Sequence, residues 1–261
     1  LDRDYTVRVL ERAAEILNCF TLHEPEKTLK QLSAETGLHK STVFRLLETL
    51  ERIQWVRKDP KVGTYRMGFG IFELGTKAIS GNDFYHVSLF HLEKLVKLTE
   101  QSAHLVIHNQ GEVLYLNKVE FLGSIITQPS QIGLRFPMHC TAVGKVLLSF
   151  MEEEQARRVV ATKGLKRMTN NTLCEEMDLL NEMQKIRQEG YAIDNEEIQL
   201  GLRCVAAPVK DHSGKVIAAI SVSGLIANLS EQRLPYIIEQ VTNTAGNISS
   251  DLGCRTNSVK I

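Results

Sequence analysis

From Thr28 to Ile53 apolar residues recur at three- and four-residue spacings, and after Ile53 that periodicity gives way to two short extended segments around a turn cluster. The pattern predicts two short helices and then a β-hairpin. Thr28 can cap the first helix through its hydroxyl, with Gln31 placed to close a capping box. Leu29 and Leu32 supply its buried stripe, and Gly37 can end it in a left-handed turn. Leu38, His39 and Lys40 lead to Ser41, a good N-cap, after which Val43, Leu46, Leu47, Leu50 and Ile53 mark the buried face of the second helix. Its opposite face carries Thr42, Arg45, Thr49 and Arg52, with Lys40 and Ser41 at the N-terminal end. Trp55 to Lys58 and Thr64 to Met67 read as strands around the turn cluster Asp59-Pro60-Lys61-Val62-Gly63. A preceding helix, Val7 to Thr21, offers Val9, Leu10, Ala13, Ile16, Leu17 and Phe20 to complete a three-helix core. Helix, turn, helix and basic hairpin in that order make a winged helix-turn-helix.

Charge sharpens this reading. Between His39 and Arg66 there are seven lysines or arginines against three acids, in a chain whose totals are 31 and 31. The excess sits where phosphates would lie, which points to double-stranded DNA as the partner. The residues expected to face it are Lys40, Ser41, Thr42 and Arg45 on the second helix and Arg57, Lys58, Lys61 and Arg66 on the wing.

Beyond the wing, Gly68 to Ser80 reads as a nearly all-round apolar helix with Phe69, Ile71, Phe72, Leu74 and Ala78. Such a helix is expected to pair with a partner chain. After Gly81-Asn82-Asp83 an amphipathic helix runs from Phe84 to Thr99. Strands are then predicted at Ala103–His108, Val113–Glu120 and Ser124–Gln128, helices at Ala142–Phe150, Glu152–Ala161 and Glu175–Glu189, and strands at Tyr191–Asp194, Arg203–Lys210 and Lys215–Leu225. A long helix from Ser230 closes the chain. This is an α+β arrangement with an antiparallel sheet flanked by helices. The expected organisation is residues 1–67 for DNA binding, 68–80 as linker helix and 81–261 for ligand sensing.

At 261 residues the chain has room for both units, each with its own core. The longest apolar stretch, Val216 to Ala227, is too short to span a bilayer, and the Leu-Asp-Arg-Asp start has neither a basic n-region nor an apolar h-region. Five scattered cysteines (19, 140, 174, 204, 254) without a CxxC pair argue against a disulfide framework or structural zinc. A reducing cytoplasm is the expected setting.

Three segments match a known family. The N-terminal pattern, Pro137-Met138-His139-Cys140-Thr141-Ala142-Val143-Gly144-Lys145-Val146-Leu147-Leu148, and Gly190-Tyr191-Ala192-Ile193-Asp194-Asn195-Glu196-Glu197 through Gly201-Leu202-Arg203-Cys204-Val205-Ala206-Ala207-Pro208-Val209 closely resemble the IclR family of bacterial transcription regulators. The resemblance covers residues 5 to 252. It implies a winged helix-turn-helix, a linker helix and a GAF-like effector domain, in dimers and often tetramers. Similarity to members that bind small oxo-acids would place Phe136, Ala142, Val143, Asp194, Cys204, Ser221 and Ser223 around an effector.

Local chemistry points to the same region. Thr141 is a candidate N-cap for the helix starting at Ala142, so the N–H groups of Ala142 and Val143 can receive a small anion, such as a carboxylate metabolite, without a buried lysine. By period-two alternation Ser221 and Ser223 share one strand face, as do Cys204 and Ala206 on the neighbouring strand. Two rival readings use overlapping residues. One is an enzyme with Cys140 or Cys204 as nucleophile and His139 or His212 as base; the other is a metal-responsive site of His139, Cys140, Asp194 and Cys204. Adjacent His139 and Cys140 cannot readily hydrogen-bond each other, and neither a glycine-rich phosphate loop nor HExxH is present. The reading is therefore a non-catalytic regulator without a cofactor.

Overall fold

The computed structural model describes residues 7–81, 83–122 and 130–254, and the chain divides into two compact units, the first ending at residue 81. The strand predicted at Ser124–Gln128 lies outside the described residues.

The first unit runs α1 (Arg8–Asn18), β1 (Glu26–Thr28), α2 (Leu29–Thr36), α3 (Lys40–Arg52), β2 (Val56–Lys58), β3 (Thr64–Met67) and α4 (Phe69–Ser80). The capping box forms as expected: Thr28 Oγ1 accepts from Gln31 N while Gln31 Oε1 accepts from Thr28 N, and Gly37 ends α2 at φ +68°. His39, not Ser41, caps α3, its Nδ1 accepting from Ser41 N, so α3 begins one residue before the predicted cap. Ile16, Leu32, Val43, Leu47, Leu50, Val56 and Tyr65 form the core.

Other features of this unit also differ from expectation. Val9 and Leu10 are exposed, because α1 offers only Ile16 fully to the core, and Ile53 is exposed as the C-cap of α3. Strand β1 was not expected; it pairs with β3 and makes the wing three-stranded, in the order β1-β3-β2. Helix α4 is fixed at its start by Gly68 N donating to Trp55 O and Gly70 N to Gln54 O. Side chains are excluded there, since a Cβ on Gly68 or Gly70 would collide with the Gln54 carbonyl.

The second unit runs α5 (Asp83–Thr99), β4 (Ser102–Asn109), β5 (Glu112–Val119), β6 (Arg135–Pro137), α6 (Ala142–Ser149), α7 (Glu153–Lys163), α8 (Glu176–Glu189), β7 (Ala192–Asn195), β8 (Leu202–Lys210), β9 (Val216–Leu225) and α9 (Leu234–Asp251). Strand β6 was not expected, and α9 starts four residues later than predicted, with a turn over 230–233 before it. The sheet order is β6-β5-β4-β9-β8-β7, antiparallel throughout.

Alternation along the central strands sends side chains into two separate cores. Val205, Ala207, Ile220 and Val222 pack toward α5 and α9, while Cys204, Ala206 and Ala219 pack toward α6 and α8. A sheet covered on both faces explains why β8 and β9 read as nearly continuous apolar runs. Among the described residues no helix is long and apolar enough to cross a membrane.

Candidate functional site

On the first unit, Lys40, Ser41 and Arg45 are exposed along the N-terminal half of α3, and Thr42 is half-buried. Phe44 is also exposed on this helix, an apolar group that the charge pattern did not single out. On the wing, Arg57, Lys58 and Lys61 are exposed, and Lys58 Nζ lies over the Tyr65 ring at 5.6 Å. The tip is set by Asp59 Oδ1, which accepts from Lys61 N and Val62 N. Arg66 differs from the others: it is half-buried and pairs with Glu26 of β1 at 3.7 Å, so part of its charge is met within the wing.

On the second unit, one small cavity brings together Phe136, Ala142, Val143, Asp194, Cys204, Ser221 and Ser223, with Thr141 beside them. Strand register explains the convergence. Asp194 stands opposite Cys204, which stands opposite Ser223; one rung over, Ala206 stands opposite Ser221, which stands opposite His104. The cavity therefore has a floor of two polar rungs running across four strands.

Helix α6 forms the opposite wall. Thr141 caps it, Oγ1 accepting from Gly144 N at 3.2 Å and donating to Pro137 O at 3.1 Å. The N–H groups of Ala142 and Val143 then have no intrahelical acceptor, and the positive end of the helix dipole faces the cavity. Tyr115 and Phe136 close the side, ring edge to face at 5.6 Å, and Ser130, Ile198 and Leu202 complete the lining.

Several functional groups were not evident in the sequence. His104 is buried and holds the floor in place: its Nε2 bonds Ser130 Oγ at 2.9 Å and its Nδ1 bonds Ser221 Oγ at 3.4 Å. Burial, with a smaller contribution from Lys118, pushes His104 down to about 3, so it is neutral. Lys145 is the cation of α6 and is almost wholly buried. Its ammonium is committed to Glu197 Oε1 at 2.5 Å, Ile193 O at 2.6 Å and Glu182 Oε1 at 3.3 Å. A single Lys inside the apolar run Ala142–Ser149 was the visible signal, but its partners lie far along the chain.

Asp194 has no exposed surface. Burial, and then the nearby Glu197, push its carboxyl up to about 7. Oδ1 accepts from Glu197 N at 2.7 Å and from Ile198 N at 3.4 Å, whereas Oδ2 has no partner in hydrogen-bond geometry among the described residues.

The chemistry disfavours the nucleophile reading. Burial pushes the Cys140 thiol up to about 12 and raises Cys204 as well, while Ser223 Oγ donates to Cys204 Sγ at 3.1 Å. Neither cysteine is an accessible thiolate, the form that attacks. His139 Nε2 is turned to Lys166 O at 3.0 Å. Among the described residues, no group of three or more His, Cys, Asp and Glu is placed to hold a metal, so the set His139, Cys140, Asp194 and Cys204 does not converge.

Comparison with known proteins agrees with both units. The family described as IclR helix-turn-helix domain matches residues 9–60, and that described as bacterial transcriptional regulator IclR C-terminal matches residues 76–250. The chain is 32% identical over 248 residues to the HTH-type transcriptional repressor AllR of Salmonella typhi, covering 95% of this chain and 91% of that one. Among solved structures, the IclR transcriptional regulator from Alicyclobacillus acidocaldarius superposes with a TM-score of 0.85 at 28% identity, covering 95% of this chain and all of that one. An IclR homolog from Microbacterium hydrocarbonoxydans, complexed with 4-hydroxybenzoate, shares the fold with a TM-score of 0.83 at 23% identity, covering 94% and 98% of the two chains. With its winged helix-turn-helix and its second domain both matched, this chain is a DNA-binding transcriptional regulator, not an enzyme, and belongs to the IclR family.

Proposed function

We propose that the chain acts in the cytoplasm as a homodimer, or a pair of dimers, that holds a roughly palindromic operator and releases or remodels it when a small carboxylate metabolite enters the cavity. Residues 1–67 read the DNA, 68–80 link and 81–261 sense the ligand. Lys40, Ser41, Thr42 and Arg45 enter the major groove, and Arg57, Lys58, Lys61 and Arg66 meet the backbone beside it. Phe136, Ala142, Val143, Asp194, Cys204, Ser221 and Ser223 hold the ligand.

The observation that carries this reading is the cavity itself, lined on one side by the N-terminus of α6 and on the other by Ser221 and Ser223. Unpaired helix N–H groups favour an anion, and the hydroxyls can orient it. A protein of the same fold is complexed with 4-hydroxybenzoate, a small carboxylic acid. AllR is named a repressor, which favours repression here.

Footprinting on DNA upstream of the gene tests the DNA half. A protected, roughly symmetric site is expected. Arg45→Ala should weaken it by ~1–3 kcal/mol if the guanidinium reads a base, whereas Lys58→Ala should weaken all sequences alike and reduce the salt slope by about one. No protected site, together with an unchanged salt slope in both variants, would remove these residues from the interface.

A further inference from the structure

We propose that the cavity takes up its carboxylate ligand together with one proton, which resides on Asp194 and lets Oδ2 donate to the ligand. The inference rests on the cavity being the effector site and adds what Asp194 does there.

The geometry assigns the two carboxyl oxygens different roles. Oδ1 is held by Glu197 N and Ile198 N, at the start of the loop after β7. Oδ2 belongs to a fully buried side chain that lines the cavity and has no partner in hydrogen-bond geometry among the described residues, while the Cys204 thiol, opposite on β8, interacts with the carboxyl group as a whole. A buried carboxylate with one oxygen unsatisfied is costly, and the same oxygen as a hydroxyl needs only an acceptor. A ligand in the cavity, which Asp194 lines, can supply that acceptor.

The charges around Asp194 point the same way. From α6, Lys145 already serves Glu197 and, from α8, Glu182, leaving one ammonium for two carboxylates before Asp194 is counted. Glu197 Oε2 is itself buried without a partner. The remaining titratable groups facing Asp194 are the Cys204 thiol of β8, the Cys140 thiol before α6 and the Tyr115 phenol of β5, all of which burial holds in their neutral forms. His104 on β4 is neutral too. Among the described residues, Lys145 is the cation that acts on Asp194, and Glu197 and Glu182 already share it. A ligand carboxylate arriving at the α6 N-terminus would meet a like charge across a water-poor space, which raises the proton affinity of the group already there. The proton comes from solvent, an O–H bond forms at Oδ2, and that O–H donates to the ligand.

The sign of the pH dependence follows from where Asp194 titrates when the cavity is empty, about 7. Below that pH the proton is already in place and binding takes up almost none. Above it binding must bring the proton in, so affinity falls about tenfold for each pH unit.

The test uses the full chain. A thermal-shift panel of acetate, lactate, benzoate and 4-hydroxybenzoate at pH 6 selects a binder, and calorimetry then measures it at pH 6 and pH 8, each in two buffers of different ionisation enthalpy. Uptake near one proton at pH 8 and near zero at pH 6 is expected. Asp194→Asn keeps an acceptor for Glu197 N and supplies a permanent donor in place of Oδ2, so its uptake should vanish and its affinity stay flat across this range. If wild-type protein binds with no buffer dependence at pH 8, or if Asp194→Asn still takes up the proton, the inference is wrong while the effector site stands. If none of the acids binds, the effector-site reading fails and takes this inference with it. Should Asp194→Asn not fold, the wild-type buffer dependence decides alone.

Discussion

At Gly144 the first turn of α6 lies so close to Met138 that a Cβ would overlap both the Met138 carbonyl oxygen and its Cα. This contact, with the Thr141 cap, fixes where the N–H groups of Ala142 and Val143 point. Gly144→Ala should therefore move the helix start and cost ~1–3 kcal/mol, as overpacking does in a filled core. Urea titration gives that cost, and the cavity ligand should bind the variant more weakly than wild type. His104 makes a different prediction. Its folded pKa, about 3, lies below the ordinary value of 6.5, so the neutral ring contributes stability above pH 6.5 that is lost as pH falls toward 3. Asp194 runs oppositely: its raised folded pKa means the fold loses stability as pH climbs from about 4 to about 7. His104→Gln should flatten the loss of urea midpoint between pH 6.5 and 4.5 relative to wild type; an unchanged slope would mean that the imidazole does not stay neutral in the fold. Residues like these were only partly legible in the sequence. Thr141, Ser221 and Ser223 could be placed by cap and alternation rules, which act over a few positions. Lys145 pairs with Glu182 and Glu197, 37 and 52 positions away, and no local rule joins them.

Elements were legible where one face is buried against a regular partner. The capping box of α2, the left-handed stops at Gly37 and Gly190, and the alternation of β8 and β9 all follow from local chemistry. Strands β1 and β6 escaped notice because each is three residues long and polar or proline-bearing, so pairing with a neighbour makes them strands and propensity does not. Helix α1 shows the converse. Its stripe was clear, but a stripe does not say what covers it, and Val9 and Leu10 lie exposed in the single chain. Helix α4 repeats this on a larger scale, with Phe69 79% and Phe72 71% exposed on an element anchored at its start by two glycines. Exposed aromatics of that size favour a second copy as the cover. Phe72→Glu should yield more monomer in sedimentation velocity, and an unchanged distribution would show that this face makes no contact between copies.

Over the whole molecule, each unit has its own hydrophobic core, and the chain joins them through α4. The polar floor and the α6 N-terminus belong to the second unit, and the basic surface of α3 and the wing to the first. A ligand in the cavity alters DNA binding only as far as it binds two arrangements of the molecule unequally, typically by 1–3 kcal/mol of coupling. The most direct measurement is an operator titration with and without a saturating cavity ligand, on wild-type protein and on the Ser221→Ala, Ser223→Ala double variant. Wild-type operator affinity is expected to shift about 5- to 150-fold, and the double variant to bind operator normally but no longer respond. A ligand that binds wild type without shifting operator affinity, or a double variant that responds as wild type does, would contradict it.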